Sequence, residues 1–361
     1  MITPTPPRRR DPDTVARALT EWFQHRLGYA GARVEHLKRP VGAGLSNETY
    51  FFDCLWNERR QPLVLQVGPS GVGLFRDYDL GVMAQVQRQL AHASAVPVAE
   101  VRWYERDASL LGAPFYVMNQ VEGRVPSDNP SYHDGGWFAE LPAADQIQAW
   151  RSGIEALTLL HDLDPVIDGF AFLVNAPWGM PLDADPAATR IAQWRDFLAW
   201  GSDTRLPLIE DALATLERTL PTPPGRVAVS WGDAKISNCV IADNRVAALL
   251  DWELCGLSDP EEDLAFWLLL DWAQWVGLNG RRLPHLPSPA ATVDYYETLT
   301  ARSTRNVPWW FRFGLVRMAI FYHRFLVRRR ELGRLDRTAD LANMNPMAAL
   351  IPRLFALEGL P

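Results

Sequence analysis

One stretch of the chain, residues 226–267, constrains the fold more than any other. Three runs of apolar and β-branched residues in it predict β-strands, at 227–230, 239–242 and 245–250. A polar turn at 231–238 follows the first strand. Asp243 and Asn244 separate the other two, and both residue types tolerate the positive φ angles of a two-residue hairpin turn. The stretch therefore predicts a polar turn leading into a β-hairpin.

The hairpin predicts which polar side chains meet. If residues 242 and 245 face each other across the turn, Asn238 lies opposite Leu249, and Asp251 is a diagonal neighbour of Asn238. Diagonal Cβ atoms lie roughly 7 Å apart, so an amide and a carboxylate there can share one metal ion. Asp233 lies in the turn that enters the same end of the hairpin.

Two carboxylates, one amide and Lys235 are thus expected to converge at one end of a small sheet. Oxygen ligands of this kind suit Mg²⁺, which keeps several waters and takes its remaining ligands from substrate phosphates. We predict that Asn238 and Asp251 bind Mg²⁺.

The pattern Asp233-x-Lys235-x-x-Asn238, with Asp251 after the hairpin, resembles the catalytic loop and metal-binding Asp of protein kinases. It resembles more closely the aminoglycoside phosphotransferase-like family, also called the phosphotransferase enzyme family. The family core usually reads His-Gly-Asp-x-x-x-x-Asn, then Leu-Asp-Trp-Glu, then Gly-Asp-Pro-x-x-Asp-Leu-Ala. The corresponding segments are 231–238, with Trp231 instead of His, 250–253 and 258–265.

The resemblance implies an α+β, two-lobed, protein kinase-like fold. Its N-lobe is a small antiparallel sheet with one long helix, and its C-lobe is larger and mostly helical. We accordingly expect a disordered tail at 1–13, an N-lobe at 14–119 that covers the nucleotide, and a C-lobe at 120–361 that holds the catalytic loop and the substrate pocket.

Hydrophobic periodicity places the elements of each lobe. In the first lobe, strands are predicted at 34–37, 50–54, 62–67, 96–104 and 111–118, and a helix at 79–90. In the second lobe, helices are predicted at 144–162, 191–201, 207–220, 290–301, 309–332 and 347–357. Another helix should begin after Asp259, with Pro260 at its first position and Glu262 as the reciprocal capping residue.

The activity that the resemblance implies is transfer of the γ-phosphoryl group of ATP, or of another nucleoside triphosphate, to a hydroxyl of a small molecule with the help of Mg²⁺. Asp233 would orient and deprotonate the hydroxyl, and Lys235 would neutralise the transferred group. Asp263 is assigned a supporting role towards the catalytic turn. His161, at the end of a predicted helix, is interpreted as a packed helix-end residue.

Nucleotide contacts are expected from three segments of the first lobe. A glycine-containing loop at 41–49 would bring backbone amides close to phosphate oxygens, because small residues leave room for that approach. The third strand and the hinge between the lobes would supply the remaining contacts, the hinge through main-chain groups. The candidates are Gly42, Gly44, Ser46, Asn47, Gln66, Asn119 and Val121.

Two positions depart from the family pattern and leave an alternative open. Gln66 stands where kinases carry a lysine, and Met83 aligns with a position that is commonly Glu or Gln. The usual ion pair is therefore replaced, which is also typical of a catalytically weak or inactive kinase-like protein that only binds a nucleotide or a small molecule. The intact set from Asp233 to Asp251 favours an enzyme.

Composition sets the broader expectations. With 361 residues, 48% of them apolar, the chain can build two moderate domains. It has no apolar run of 18 residues and no apolar stretch behind the charged amino-terminal residues, so we expect a cytoplasmic protein without a membrane partner. Its three cysteines have neither a disulfide nor a metal-site spacing.

Charge bears on the partners of the protein. A formal net charge of −7 argues against nucleic acid as a partner, whereas the oligomeric state stays open. The second-lobe segments expected near the substrate, 132–137, 266–275 and 309–310, combine many aromatic residues with few acids. We therefore expect the acceptor to be a partly apolar alcohol with less positive charge than an aminoglycoside.

Overall fold

The computed structural model describes residues 10–40, 47–69, 73–276 and 281–361. They form two compact units. The first contains the described residues up to Ala91 together with Ala99–Val121, and the second contains His92–Val98 and Glu122–Pro361. No helix in these described ranges is long and apolar enough to cross a membrane.

The first unit is built on a five-stranded antiparallel sheet. Its strands are β1 (Arg33–Lys38), β2 (Glu48–Trp56), β3 (Arg59–Val67), β4 (Val101–Glu105) and β5 (Phe115–Asn119). They lie in the order β1-β2-β3-β5-β4, and every neighbouring pair is antiparallel. The sheet therefore has the antiparallel character that the α+β prediction requires.

Two helices accompany this sheet. Helix α1 (Pro12–Glu21) continues as one π-helical turn, Trp22–Arg26, and its aromatic residues Trp22 and Phe23 are buried in the core of the unit. The long helix α2 (Leu80–Ala93) begins after Asp79, whose carboxylate accepts the backbone N–H groups of residues 81 and 82. Helix α1 begins inside the segment expected to be a tail, and residues 1–9 lie outside the described part of the chain.

The second unit is mostly helical. Its helices are α3 (Ala143–His161), α4 (Pro186–Gly201), α5 (Pro207–Arg218), α6 (Pro260–Val276), α7 (Pro289–Thr300), α8 (Val307–Glu331) and α9 (Pro346–Phe355). Four short strands form two antiparallel pairs: β6 (Ala228–Ser230) with β9 (Gly256–Ser258), and β7 (Cys239–Ala242) with β8 (Arg245–Leu249). The predicted α+β class is confirmed.

The predicted turn of the β7–β8 hairpin is confirmed, but its register is not. Asp243 and Asn244 have φ angles of 48° and 58°, and Ala242 faces Arg245. Beyond Ile241 a β-bulge shifts the pairing by one residue, because Ala247 is an extra residue of β8. The predicted pairing of Asn238 with Leu249 is therefore wrong.

The bulge brings Asn238 level with Leu250 instead. The backbone N–H of Leu250 donates to the carbonyl oxygen of Asn238 at 2.8 Å, and Cys239 takes the place opposite Leu249. Asp251 is thus the residue directly after the partner of Asn238. The two side chains still belong to the same end of the hairpin, although by a different register.

The start of α6 buries two carboxyl groups close together. Asp259 accepts the backbone N–H of Glu261 at 3.0 Å, which caps the helix. Glu261 is 8% exposed, and within the described residues its Oε2 atom has no hydrogen-bond partner. Burial and the neighbouring Asp259 raise the pKa of Glu261 to about 8. The folded protein therefore holds a proton on Glu261 at neutral pH.

This proton makes stability depend on pH. Because the pKa of an ordinary glutamate side chain is 4.5 and that of Glu261 in the fold is about 8, the folded state binds the proton more strongly between these values. The free energy of unfolding should therefore fall as the pH rises from 4.5 to 8. In Glu261→Gln this decline should be shallower, as urea unfolding at several pH values would show. Glu140→Gln, at an exposed position of the same unit, is the control. Equal pH slopes in wild type and Glu261→Gln would contradict the prediction.

Candidate active site

The polar turn after β6 depends on a glycine. Gly232 has a φ of +83°, and a Cβ atom there would lie 2.1 Å from the carbonyl oxygen of Leu254. Both the backbone conformation and the close approach of another backbone segment exclude larger residues. Gly232 therefore allows the chain to reverse directly after Trp231 and to present Asp233.

Asp263, in the first turn of α6, holds this turn in place. Its two carboxylate oxygens accept the backbone N–H groups of Trp231 and Gly232, each at 2.8 Å. His161 Nε2 lies 3.2 Å from Oδ2 of the same carboxylate. Burial alone would raise the pKa of Asp263, but these hydrogen-bond donors outweigh it and lower the pKa. An ionised, fully buried Asp263 thus fixes the backbone that precedes Asp233.

Asp233 and Asn238 are joined directly. A short 3₁₀ turn, Ile236–Asn238, brings the Asn238 side chain back towards Asp233. Its Nδ2 atom donates to Asp233 Oδ2 at 2.7 Å and to the Asp233 carbonyl oxygen at 3.1 Å. Because both N–H groups of the amide are used, its Oδ1 oxygen is the atom that can serve as a ligand.

Lys235 lies between carboxylates. Its Nζ atom is 3.0 Å from Asp128 Oδ2 and 3.7 Å from Asp233 Oδ2. Burial alone would lower the pKa of Lys235, but the negative charges of Asp233, Asp128 and Asp251 more than offset this and raise it. Lys235 is therefore a permanent cation beside Asp233.

Asp251 follows β8 in a left-handed backbone conformation, with φ 59° and ψ 65°. The residue is exposed to solvent, and nearby protein partly desolvates its carboxyl group. This surrounding protein and the charge of Asp233 raise the pKa of Asp251 to about 6, against the opposing effect of Lys235. Asp233, Lys235 and Asp251 thus interact electrostatically with one another.

Two buried arginines, which the sequence pattern did not indicate, stabilise the polar turn. Arg317 of α8 donates to the carbonyl oxygen of Gly232 and, at 2.8 Å, to Glu262 Oε1. Arg190 of α4 donates to Glu262 Oε2 at 2.8 Å. Glu262 is therefore a buried partner of two arginines, and its prediction as a reciprocal capping residue is wrong. Only long-range packing of α4, α6 and α8 brings these three residues together.

Asp128 also lies near the polar turn after β6, and sequence reasoning missed it too. It lies in the segment 126–137, which has no family motif, and it reaches Lys235 from more than 100 positions away. A single sequence contains no signal that would pair the two.

Two of the nucleotide candidates, Asn47 and Gln66, are held by neutral contacts. Gln66 of β3 accepts a hydrogen bond from the hydroxyl of Thr49 at 3.2 Å, and the Tyr78 hydroxyl contacts Asn47 Oδ1. Met83 of α2 is buried, with the Tyr78 hydroxyl 3.6 Å from its sulfur. Gly42, Gly44 and Ser46 lie outside the described residues. No ion pair involving Gln66 or Met83 is possible, because both side chains are uncharged.

The hinge candidates differ in their main-chain hydrogen bonding. The backbone N–H of Asn119 already donates to the carbonyl oxygen of Glu100 at 2.9 Å, and its side chain contacts Glu100 and Gln61. The backbone N–H of Val121 has no hydrogen-bond partner among the described residues. Of the two hinge candidates, Val121 is therefore the one whose main-chain N–H can donate a hydrogen bond to a ligand.

Gly232, in the polar turn after β6, is open to a stability test. Gly232→Ala should lower the free energy of unfolding by roughly 2–4 kcal/mol, because a Cβ atom collides with a backbone carbonyl that cannot rotate away. Gly333→Ala is the matched control, since Gly333 also has a positive φ of +67° but nothing within 4 Å of the added atom. Urea unfolding of both variants measures the difference. Equal losses would show that the contact with Leu254 contributes nothing.

Comparison with known proteins shows the family to which this chain belongs. The model of the phosphotransferase enzyme family matches residues 39–283, about two-thirds of the chain. Acyl-CoA dehydrogenase family member 11 of Gallus gallus is 28% identical over 232 residues, which cover 63% of this chain and 27% of the relative. The chain thus spans just over a quarter of the length of that curated relative.

Solved structures show the same fold. A Ralstonia eutropha protein assigned to the aminoglycoside phosphotransferases matches with a TM-score of 0.66 and 21% identity, covering 94% of this chain and 95% of its own. A mutant of the aminoglycoside phosphotransferase APH(4)-Ia, in ternary complex with AMP-PNP and hygromycin B, matches with a TM-score of 0.59 and 14% identity, covering 95% and 100%. With its protein kinase-like α+β fold and its family match, this chain belongs to the phosphotransferase enzyme family.

Proposed function

We propose that this protein is an ATP-dependent phosphotransferase that moves the γ-phosphoryl group to a hydroxyl of a small-molecule substrate with the help of Mg²⁺. The observation that carries the proposal is the arrangement of Asp233, Lys235, Asn238 and Asp251 at one end of the β7–β8 hairpin. These four side chains are a base, a cation and two oxygen ligands, which are the groups that phosphoryl transfer requires. The complex of APH(4)-Ia with AMP-PNP supports the choice of nucleotide.

Asp233 is the proposed base. Its Oδ2 oxygen accepts a hydrogen bond from Asn238, whereas its Oδ1 oxygen has no donor among the described residues. Oδ1 would accept the proton of the substrate hydroxyl while the hydroxyl oxygen attacks the γ-phosphorus and the bond to the β,γ-bridging oxygen breaks. Lys235 would neutralise negative charge on the transferred group, because its raised pKa keeps it protonated.

Asn238 and Asp251 are the proposed ligands of Mg²⁺. Within the described ranges, no three His, Cys, Asp or Glu side chains form a group that could hold a metal ion by themselves. An amide oxygen and one carboxylate nevertheless fit Mg²⁺, which completes its shell with waters and nucleotide phosphates. The bound ion would supply neutralisation of phosphate charge.

The nucleotide contacts remain part of the proposal. Asn47 and Gln66 would offer neutral side chains to the phosphates. Gly42, Gly44 and Ser46 would offer their backbone amides to the same phosphates. Val121 would offer its main-chain N–H to the adenine. The hydrogen bond of the Asn119 N–H to Glu100 leaves only the carbonyl group of Asn119 for this purpose.

One observation favours a second candidate function. Gln66 and Met83 replace the usual ion pair, and the contacts of both residues with Thr49 and Tyr78 are those of a well-packed neutral site. A kinase-like protein that binds a nucleotide or a small molecule without turnover would tolerate this replacement. It would not require Asp233 and Lys235 together with both oxygen ligands, which is why we favour the enzyme.

The acceptor is proposed to be a partly apolar alcohol in the cytoplasm, and neither nucleic acid nor a membrane is proposed as a partner. The acceptor panel for the assays below should include an aminoglycoside, choline and hydroxylated acyl thioesters. The last group is included because the curated relative carries the name of an acyl-CoA dehydrogenase. ADP release reports phosphoryl transfer to any of them.

Replacement of the base is the direct test of the function. Asp233→Asn should lower kcat by about 10²–10⁴-fold, the usual contribution of a general base. Asp243→Asn, on the exposed hairpin turn, should leave kcat unchanged. The measurement is acceptor-dependent ADP release. Nucleotide binding without turnover in the wild type, for every acceptor, would support the second candidate function instead.

The pH profile of kcat/KM tests the proposed role of Asp251 as a ligand of Mg²⁺. Since the pKa of Asp251 is raised to about 6, the carboxylate should become protonated as the pH falls below that value and lose its affinity for Mg²⁺. We expect kcat/KM to decline below about pH 6 and higher Mg²⁺ concentrations to shift this decline to lower pH. In Asp251→Asn the Mg²⁺-dependent shift should disappear. A profile that Mg²⁺ does not move would exclude Asp251 as the ligand.

A further inference from the structure

Lys235 is an unusual residue in this chain. Of its 36 lysine and arginine residues, only Lys38 and Lys235 are lysines. Lys38 is exposed at the end of β1, whereas the side chain of Lys235 is 21% exposed and lies among carboxylates. A compact ammonium donor on a flexible stem is thus used beside Asp233 in a chain that otherwise relies on arginine. Lysine can reach several acceptors in turn, because it has a freely rotating donor group on a flexible stem.

The position of this ammonium is not determined by the catalytic turn alone. Lys235 Nζ forms a hydrogen bond with Asp128 Oδ2 at 3.0 Å, whereas its distance of 3.7 Å to Asp233 Oδ2 is too long for one. Asp128 and Asp233 therefore compete for one cation, and Asp128 holds it more closely. Asp233 keeps Asn238 as its hydrogen-bond donor at 2.7 Å.

Asp128 is itself fixed on both sides. Its other oxygen, Oδ1, accepts a hydrogen bond from Gln274 Nε2 of α6 at 3.0 Å. The backbone around it forms a tight turn, in which the N–H of Tyr132 donates to the carbonyl oxygen of Ser127 at 2.8 Å. With both carboxylate oxygens engaged, Asp128 has little freedom to rotate.

The segment that carries Asp128 is anchored to the same helix. The hydroxyl of Tyr132 donates to Asp271 Oδ1 at 2.8 Å, and Asp271 lies one turn before Gln274 on α6. Tyr132 and Asp271 are both buried, and Arg282 donates to the second oxygen of Asp271 at 2.8 Å. Helix α6 thus supports the catalytic turn through Asp263 and the segment 126–137 through Asp271 and Gln274.

We propose that Asp128 is a positioning residue for phosphoryl transfer, which holds the Lys235 ammonium beside Asp233 and prevents the two from forming a direct hydrogen bond. The inference rests on the proposed function. Without Asp128, the flexible Lys235 side chain would close on Asp233 Oδ2, and its positive charge at hydrogen-bond distance would make Oδ1 of the same carboxylate a weaker acceptor for the proton of the substrate hydroxyl. Asp128 acts through Lys235 and does not itself touch the reacting atoms.

A double-mutant cycle tests this role. Asp128→Asn should lower kcat by about tenfold in the presence of Lys235, with KM for ATP unchanged, and by less than about twofold in a Lys235→Met background. Asp128→Glu should restore part of kcat, because it returns the carboxylate. Asp243→Asn, at the exposed hairpin turn, is the control and should change nothing. If Asp128→Asn instead raises the KM of the acceptor, or acts equally in both backgrounds, Asp128 binds substrate directly and the proposal is wrong.

A second measurement needs no catalysis. Acylation with an N-hydroxysuccinimide ester, followed by mass spectrometry, reports the reactivity of Lys235, with Lys38 as an internal reference. In an Asp233→Asn background, where the residue at 233 has no carboxylate to replace the lost one, Asp128→Asn should speed acylation of Lys235 relative to Lys38 by about threefold or more, because loss of the ion pair frees the amine. An unchanged ratio would refute the proposal regardless of activity. If the wild type transfers phosphate to no acceptor, the proposed function fails, and the acylation ratio still decides whether Asp128 holds Lys235.

Discussion

The turn that carries Asp233, the proposed base, depends on one buried carboxylate. Asp263 accepts two successive backbone N–H groups, those of Trp231 and Gly232, at positions where the chain is folded too tightly for those groups to bond within a strand or helix. Burying an ionised carboxylate costs several kcal/mol unless hydrogen bonds replace its water. Two amides and His161 replace that water here, so the cost is offset and the turn is held in one conformation.

A network of buried charges extends this support to the helices. Arg317 donates a hydrogen bond to the carbonyl oxygen of Gly232. Glu262 accepts hydrogen bonds from both Arg317 and Arg190 and so connects them. The guanidinium of Arg317 also lies 3.7 Å from the ring centroid of Phe266, so an aromatic face covers the charge. Removing one member of such a network leaves a buried charge without its partner, which costs more than the intact network contributes. Helices α4, α6 and α8 therefore bear directly on the geometry of the turn.

The proposed reaction places an unusual demand on Lys235. In a family in which a basic residue on the third strand commonly binds the nucleotide phosphates, Gln66 brings no charge. Negative charge on the transferred group would then be neutralised by Mg²⁺ and by Lys235, next to the three carboxylates of Asp128, Asp233 and Asp251. The Lys235 ammonium remains protonated among these three carboxylates. The direction in which its side chain points depends on which carboxylate lies closest.

Local sequence determined much of this protein. The turn residues Asp243 and Asn244, the helical periodicity of α3 to α9 and the cap of α6 at Asp259 act over short distances, and they were sufficient to predict these elements and the approach of Asp233, Lys235, Asn238 and Asp251 to one hairpin. The α+β fold was predicted from the family resemblance of the ordered motif from Trp231 to Ala265. Tertiary structure decided the rest. The β-bulge at Ala247, the partners of Glu262, the contact of Asp128 with Lys235 and the role of α6 as a common support all join residues that are far apart in the chain or depend on how neighbouring backbones fit. Such contacts follow from packing in three dimensions, and the spacing of residues along one chain does not contain them.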